Sequence, residues 1–212
     1  MKRRSDEEIS APLYEYDAAV RAQYGCFAGV DEAGRGPLCG PVCVAVCILD
    51  PENPVQGIND SKKLTPARRE LLSVKIAEVA TAIGFCHIAP KDIDEMGMAR
   101  AIRVAVAGAV ADTGLEPDCV LMDGNPLGAV PNERDVVKGD AKIACIAAAS
   151  IMAKVTRDEM MVEYDAEYPE YHLAESKGYA SPEHIEAIRK HGLCPLHRVS
   201  FCGNFLQTER LF

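Results

Sequence analysis

Tryptophan is absent from the 212 residues and aromatic side chains make up only 6% of them, so aliphatic residues and alanine must build the core. No apolar run approaches the roughly 20 residues of a membrane-spanning helix. The amino terminus, Met1 to Glu8, passes from basic to acidic without an apolar stretch, so no signal peptide and a cytoplasmic location are expected. Positive charge is scarce: 23 Lys and Arg stand against 32 Asp and Glu, a net charge of -9. That balance argues against a general nucleic-acid coat protein, whose affinity comes from neutralising phosphates. It leaves a nuclease open, because a carboxylate site sheds acidity when it takes up a metal.

No Cys-x-x-Cys pair occurs among the nine cysteines. Cys39, Cys43 and Cys47 recur every fourth residue, but their surroundings are strand-like, so reduced cysteines acting as small hydrophobes are expected. The histidines, at 87, 172, 184, 191 and 197, lack zinc-site spacing with cysteines. Gly34-x-Gly36-x-x-x-Gly40 is one residue too long for a dinucleotide fingerprint, and no Gly-Lys-Ser/Thr marks a P-loop. Neither Ser150 nor Ser200 has a glycine elbow to make it a nucleophile.

What is present is concentrated in Gly29 to Val42. An apolar run ends in Asp31-Glu32, directly before the glycine-framed arginine Gly34-Arg35-Gly36. Adjacent acids at a strand end are ordinarily a solvated terminus, since their side chains point to opposite faces. Glycines at 34 and 36 permit close approach of a sugar or phosphate to the main chain, which turns the pair toward nuclease chemistry.

Residues 1–24 read as a polar, peripheral extension with one short helix, and 25–212 as one domain. Strands are expected at 26–32 and about 41–49 as an antiparallel pair, then at 82–88, 119–122 and about 134–138. Thr65-Pro66 starts a helix whose apolar face is Leu71, Leu72, Val74, Ile76 and Val79. Further helices are expected over 98–112, from Ala141 to about Tyr164, and over 182–190. Strands alternating with helices imply an α/β domain with ligands at the strand ends.

Asp31, Glu32, Asp123 and Asp140 each fall at an expected strand end or helix start. Such hard oxygen ligands suit Mg²⁺ or Mn²⁺, and two ions roughly 4 Å apart can activate water for phosphodiester hydrolysis. Asp158 competes with Asp140 for the fourth place. The two are 18 residues apart, about 27 Å on an unbroken helix, so both cannot touch one cluster. Asp140 is preferred as the residue that starts the helix, where the dipole favours a carboxylate. Asp158, four residues after Lys154, reads as half of an ion pair. The basic clusters Lys62-Lys63, Arg68-Arg69, Lys138 with Lys142, Lys154 with Arg157, Arg189-Lys190 and His197-Arg198 read by default as solvated surface.

Several blocks, in order, closely resemble type 2 ribonuclease H, ribonuclease HII: Gly29 to Leu38, Asp60-Ser61-Lys62-Lys63-Leu64, Met122-Asp123-Gly124-Asn125, Lys138-Gly139-Asp140, Ile146 to Asp158, Lys177-Gly178-Tyr179 and His197 to Phe201. Type 3 relatives carry a sizeable amino-terminal substrate-binding domain; with about 25 residues preceding the matched part, none is expected here. The resemblance implies a ribonuclease H-like fold, a five-stranded mixed sheet flanked by helices with a helical carboxyl-terminal part. It implies an endonuclease that cuts RNA in RNA–DNA hybrids and 5′ of ribonucleotides embedded in duplex DNA, leaving 3′-hydroxyl and 5′-phosphate ends. It also implies that Asp31, Glu32, Asp123 and Asp140 bind Mg²⁺ or Mn²⁺, two ions once substrate is bound. Gly34, Arg35 and Gly36 would read the 2′-hydroxyl and junction phosphate, Tyr179 would stack on a deoxyribose, and Lys62 would join the substrate contacts.

Ser176 stands where the family often has histidine, and Gly97 where asparagine is common. A monomer is expected. Gln207 to Phe212 faintly resembles a sliding-clamp-binding peptide, against the plainer reading of a frayed tail. Two other classes stand beside this reading. A DNA-junction resolvase of the same fold would need no 2′-hydroxyl reader, and a non-catalytic hybrid-binding protein would be expected to lack one of the four acids.

Overall fold

The computed structural model describes residues 4–124 and 127–205. Helix α1 (Asp6–Tyr24) starts with a reciprocal cap, Ser5 accepting from the Glu8 amide while Glu8 accepts from the Ser5 amide. The short peripheral helix expected here is instead 19 residues long and buries Leu13 and Val20 in the core. Its polar composition misleads because a docked helix needs an apolar residue only every third or fourth position.

Strands β1 (Phe27–Ala33) and β2 (Val42–Leu49) pair antiparallel, with Asp31 opposite Ala45 and Glu32 opposite Val44. Helix α2 (Pro66–Val79) starts as expected, with the Thr65 hydroxyl accepting from the Arg68 amide. Its buried face is Leu72, Ser73 and Ile76, whereas Leu71 and Val74 are exposed. Leu72 and Ile76 are four residues apart and share a stripe that Leu71 and Val74 miss.

Strand β3 (Ala80–Ile88) extends the sheet beyond β2, and α3 (Pro90–Met96) leads into α4 (Met98–Asp112), which packs on β2 and β3. Strands β4 (Cys119–Asp123) and β5 (Glu133–Val136) add in parallel on the far side of β1, giving the order β3-β2-β1-β4-β5. The five-stranded mixed sheet is therefore as expected. β5 stops at Val136, before the expected 138, because Lys138 takes a left-handed conformation and Gly139–Ala141 form one tight 3-10 turn.

Helix α5 (Ala144–Glu167) covers the sheet face that carries Phe27, Ala45 and Cys47. Gly29 brings this helix close: a Cβ there would lie 2.6 Å from the Cys145 carbonyl oxygen. The helix begins at Ala144 rather than Ala141, and Asp17 of α1 caps it, accepting from the Ala144 amide at 2.8 Å and the Cys145 amide at 3.2 Å. The expectation that Asp140 starts this helix is corrected: Asp140 lies in the preceding turn.

Helices α6 (Leu173–Ser176), α7 (Pro182–His191) and α8 (Val199–Cys202) form the helical carboxyl-terminal part. They enclose a separate apolar cluster around Leu38 and Cys39, in the β1–β2 connection. Among the described residues, no helix is long and apolar enough to cross a membrane.

Candidate active site

Sheet topology brings the first two acids together. β1 and β4 run parallel with Val30 opposite Met122, so Asp31 and Asp123 emerge side by side at the carboxyl ends of neighbouring strands. Asp31 follows Phe27 and Gly29 in strand alternation, which turns it toward α5 and the Ser150 hydroxyl. Ser150 in turn shares a 2.8 Å hydrogen bond with Ser61. The Asp31 carboxyl is pushed up to about 7, first by burial and then by the neighbouring charge of Glu32, with Asp123 adding to it. Hydrogen bonds from Ser150 and from the Glu32 amide, the latter at 2.8 Å, oppose that rise.

Asp123 accepts the Gly139 amide at 2.8 Å and so ties the end of β4 to the turn that holds Asp140. Asp140 is buried, and its carboxylate lies 3.4 Å from the Lys62 ammonium. Burial raises its pKa, helped by Asp60 and Asp123 and opposed by Lys62. Glu32 accepts from Arg35 at 3.1 Å. The four acids thus gather at one end of the sheet, although no three of their oxygens lie within 4.8 Å of one another. Asp158 pairs with Lys154 at 2.7 Å, as expected.

The loop after β1 is held from inside by two arginines. Arg198, fully buried, donates to the main-chain carbonyls of Gly34, Arg35, Pro37 and Gly40. Arg157, also buried, donates to Pro41, Lys177 and Cys39. Burial, and after it the repulsion of Arg157, lowers the Arg198 pKa to about 10. The reading of these residues and His197 as solvated surface is corrected: all three are buried. A signal was present for Arg157, which falls on one helical stripe with Ile146, Ser150 and Ala153, at spacings of four, three and four.

The two framing glycines have different reasons. Gly34 has φ +95°, and a Cβ there would lie 2.6 Å from Arg157 Cδ and 2.7 Å from the Pro41 carbonyl oxygen. Its role is to let the buried arginine reach the loop, not only to admit a ligand. Gly36 is exposed, and a Cβ there would meet only the Tyr179 ring, at 3.8 Å. Tyr179 is 47% exposed, and its carbonyl accepts from His184 Nδ1 at 2.8 Å.

Asp31, Glu32, Gly34, Arg35, Gly36, Lys62, Asp123 and Tyr179 line one cleft of about 390 Å³. Asp140 stands beside it, linked through Lys62 and Asp123. Arg69, Lys154, Ser61 and Ser150, which sequence reasoning did not assign to the site, line it too. Arg35, Lys62, Arg69 and Lys154 therefore bring cations from separate segments to a cleft floored by acids, an arrangement suited to a phosphodiester backbone.

The ribonuclease HII family profile matches residues 28–204. Ribonuclease HII of Ruminiclostridium cellulolyticum is 46% identical over 205 residues, covering 96% of this chain and 80% of that protein. The crystal structure of ribonuclease H2 from Pyrococcus horikoshii OT3 superposes with TM-score 0.71 at 30% identity, covering 82% of this chain and 92% of that one. Two solved structures of lower identity share the fold. The ribonuclease HII of the PCNA complex from Archaeoglobus fulgidus has TM-score 0.72 at 24% identity, over 88% of this chain and 98% of that one. Bst-RNase HIII in complex with Mn²⁺ has TM-score 0.68 at 18% identity, over 83% of this chain and 67% of that one. Likeness of this extent, on this sheet order, makes the chain a member of the ribonuclease HII family and an endoribonuclease that acts on the RNA of RNA–DNA hybrids.

Proposed function

We propose that this enzyme hydrolyses the phosphodiester on the 5′ side of a ribonucleotide, in hybrids and at single ribonucleotides embedded in duplex DNA, leaving 3′-hydroxyl and 5′-phosphate ends. The observation that carries the reading is Gly36 lying directly beside the Tyr179 ring in the cleft that also holds Asp31 and Asp123. A sugar docking over that edge of the cleft can meet the bare main chain at 36 and the neighbouring ring together, beside the acids that line the same cleft. The 2′-hydroxyl is the group that separates RNA from DNA, and an exposed loop without a side chain at 36 can hydrogen-bond it.

The donor set fits a hard divalent ion. Asp31 is crowded by Glu32 and Asp123, a like-charge cluster whose repulsion a cation would relieve. Asp31, Glu32, Asp123 and Asp140 would hold Mg²⁺ or Mn²⁺, two ions with substrate bound; the Mn²⁺ complex of Bst-RNase HIII is a precedent in a fold relative. When bound, such ions supply an activated water and stabilise the leaving oxygen. Ser150 orients Asp31, the Gly139 amide orients Asp123, and Lys62 screens Asp140 while facing the substrate backbone. Arg35 offers its guanidinium to the junction phosphate, and Tyr179 packs against the deoxyribose beyond it.

We take a monomer as the working unit. The nine cysteines are free, in keeping with a cytoplasmic location. The segment Gln207 to Phe212 lies outside the described residues; the Archaeoglobus complex with PCNA is what supports a sliding clamp as a partner. Tyr179→Ala tests the substrate assignment: it is expected to weaken cutting at a lone embedded ribonucleotide at least about tenfold more than cutting of a long hybrid. An equal, small effect on both substrates would remove the stacking role.

A further inference from the structure

On the side of the loop away from the acids, three soft ligands meet. Cys39 Sγ, Cys194 Sγ and a His197 ring nitrogen all lie within 4.8 Å of one another, with Cys194 Sγ 3.1 Å from His197 Nδ1. Cys39 and His197 are buried and Cys194 is partly exposed. Cys194 and His197 are three residues apart, and the pairing of Cys39 with His197 as a β-bridge brings the third ligand from the loop after β1.

The hydrogen bonds around His197 show which nitrogen lacks the proton. The Cys194 amide donates to Nδ1 at 3.0 Å, so Nδ1 carries a lone pair and the proton resides on Nε2. That Nε2–H donates to His184 Nε2 at 3.1 Å, and His184 Nδ1–H donates to the Tyr179 carbonyl at 2.8 Å. Nδ1 thus lacks a proton and faces the Cys194 thiol; an ion would take its lone pair in place of the Cys194 amide, with Nε2 still hydrogen-bonded into the protein as in metal-ligating histidines. We propose that Cys39, Cys194 and His197 form a binding site for one borderline or soft divalent ion of the Zn²⁺ type, with the fourth position open on the Cys194 side.

The spacing is compatible with that ion: Zn–S and Zn–N bonds place tetrahedral ligands roughly 3.5–3.8 Å from one another, and the three ligand atoms lie within 4.8 Å of one another. Two thiolates and a dication are neutral together, so a loaded site would add no net charge beside the buried Arg157 and Arg198. Thiolates select against Mg²⁺ and Mn²⁺, so this site and the carboxylate cleft take different ions. An ion here would bind the β1–β2 connection to the segment between α7 and α8.

The test uses the full chain, reduced with a phosphine and held in saturating Mg²⁺ to fill hard-ligand sites, and titrates it with Co²⁺ as a spectroscopic probe. One equivalent is expected to give thiolate-to-cobalt charge-transfer absorption, and Zn²⁺ to abolish it. The band should vanish in Cys194→Ser and in Cys39→Ala and persist in Cys26→Ser. Zn²⁺ should raise the melting temperature of the wild type and not that of Cys194→Ser. Absence of the band in the wild type, or its survival in Cys194→Ser, overturns the proposal; Cys194 is partly exposed, so that variant decides the matter even if Cys39→Ala fails to fold.

Discussion

The buried guanidinium of Arg198 donates to the main-chain carbonyl of Gly34 at 2.7 Å, 164 residues away in sequence. The same side chain satisfies the carbonyls of Arg35, Pro37 and Gly40, so the loop that follows Asp31 and Glu32 is shaped from the carboxyl-terminal segment. A planar, five-donor group can do this; an ammonium cannot. Arg198→Lys is therefore expected to destabilise the fold by about 2–4 kcal/mol through unpaired carbonyls. Urea unfolding measures it, and a loss below about 0.5 kcal/mol would contradict the assignment.

Gly34 and Gly36 should separate in their effects. Gly34→Ala meets both a positive φ and the Arg157 side chain, so it should lower stability by about 1–3 kcal/mol. Gly36→Ala has only the Tyr179 ring as neighbour and should unfold like the wild type while cutting at ribonucleotides more slowly. Equal unfolding midpoints for the two variants would refute the division of roles.

Asp31 gives a pH prediction for protein kept free of divalent ions. Its carboxyl titrates near 7 in the folded chain against an ordinary 3.8, so it holds its proton more tightly when folded. Its contribution to stability is whole below 3.8 and is lost as pH rises through about 7. Asp31→Asn should then stabilise the chain at pH 8, by on the order of a few kcal/mol, and make little difference at pH 4. Thermal melts at the two pH values decide, and an Asn variant less stable than wild type at pH 8 would count against the like-charge account.

Asp17 should prove structural. Asp17→Ala removes both acceptors from the first amides of α5 and is expected to cost about 1–2 kcal/mol. Because α5 also carries Ser150, cleavage should fall with it; a fully stable Asp17→Ala chain would show the cap to be dispensable.

β1, β2 and β4 were readable because each begins as a short apolar run, and two of them carry Asp31 and Asp123 near their carboxyl ends. Parallel pairing then sets those acids side by side, a consequence that needs topology and not only spacing. Asp140 was preferred over Asp158 for an incorrect local reason: the sequence from 138 to 143 breaks into a left-handed residue and a tight turn before α5 starts. The arginines were missed because charge composition cannot tell a solvated pair from a guanidinium whose partners are carbonyls, which leave no mark in sequence. The same holds for Cys39, Cys194 and His197, where two of the ligands are three residues apart and the third lies 155 residues earlier.

The central claim is hydrolysis at a ribonucleotide by a carboxylate-held metal site. It is tested most directly by following cleavage of two matched DNA duplexes, one carrying a single ribonucleotide, with Mg²⁺, by the wild type and by Asp123→Asn. The account predicts a single cut on the 5′ side of the ribonucleotide, none in the all-DNA duplex, and at least about a hundredfold loss in a folded Asp123→Asn variant. Equal cutting of both duplexes, or wild-type turnover by Asp123→Asn, would contradict it.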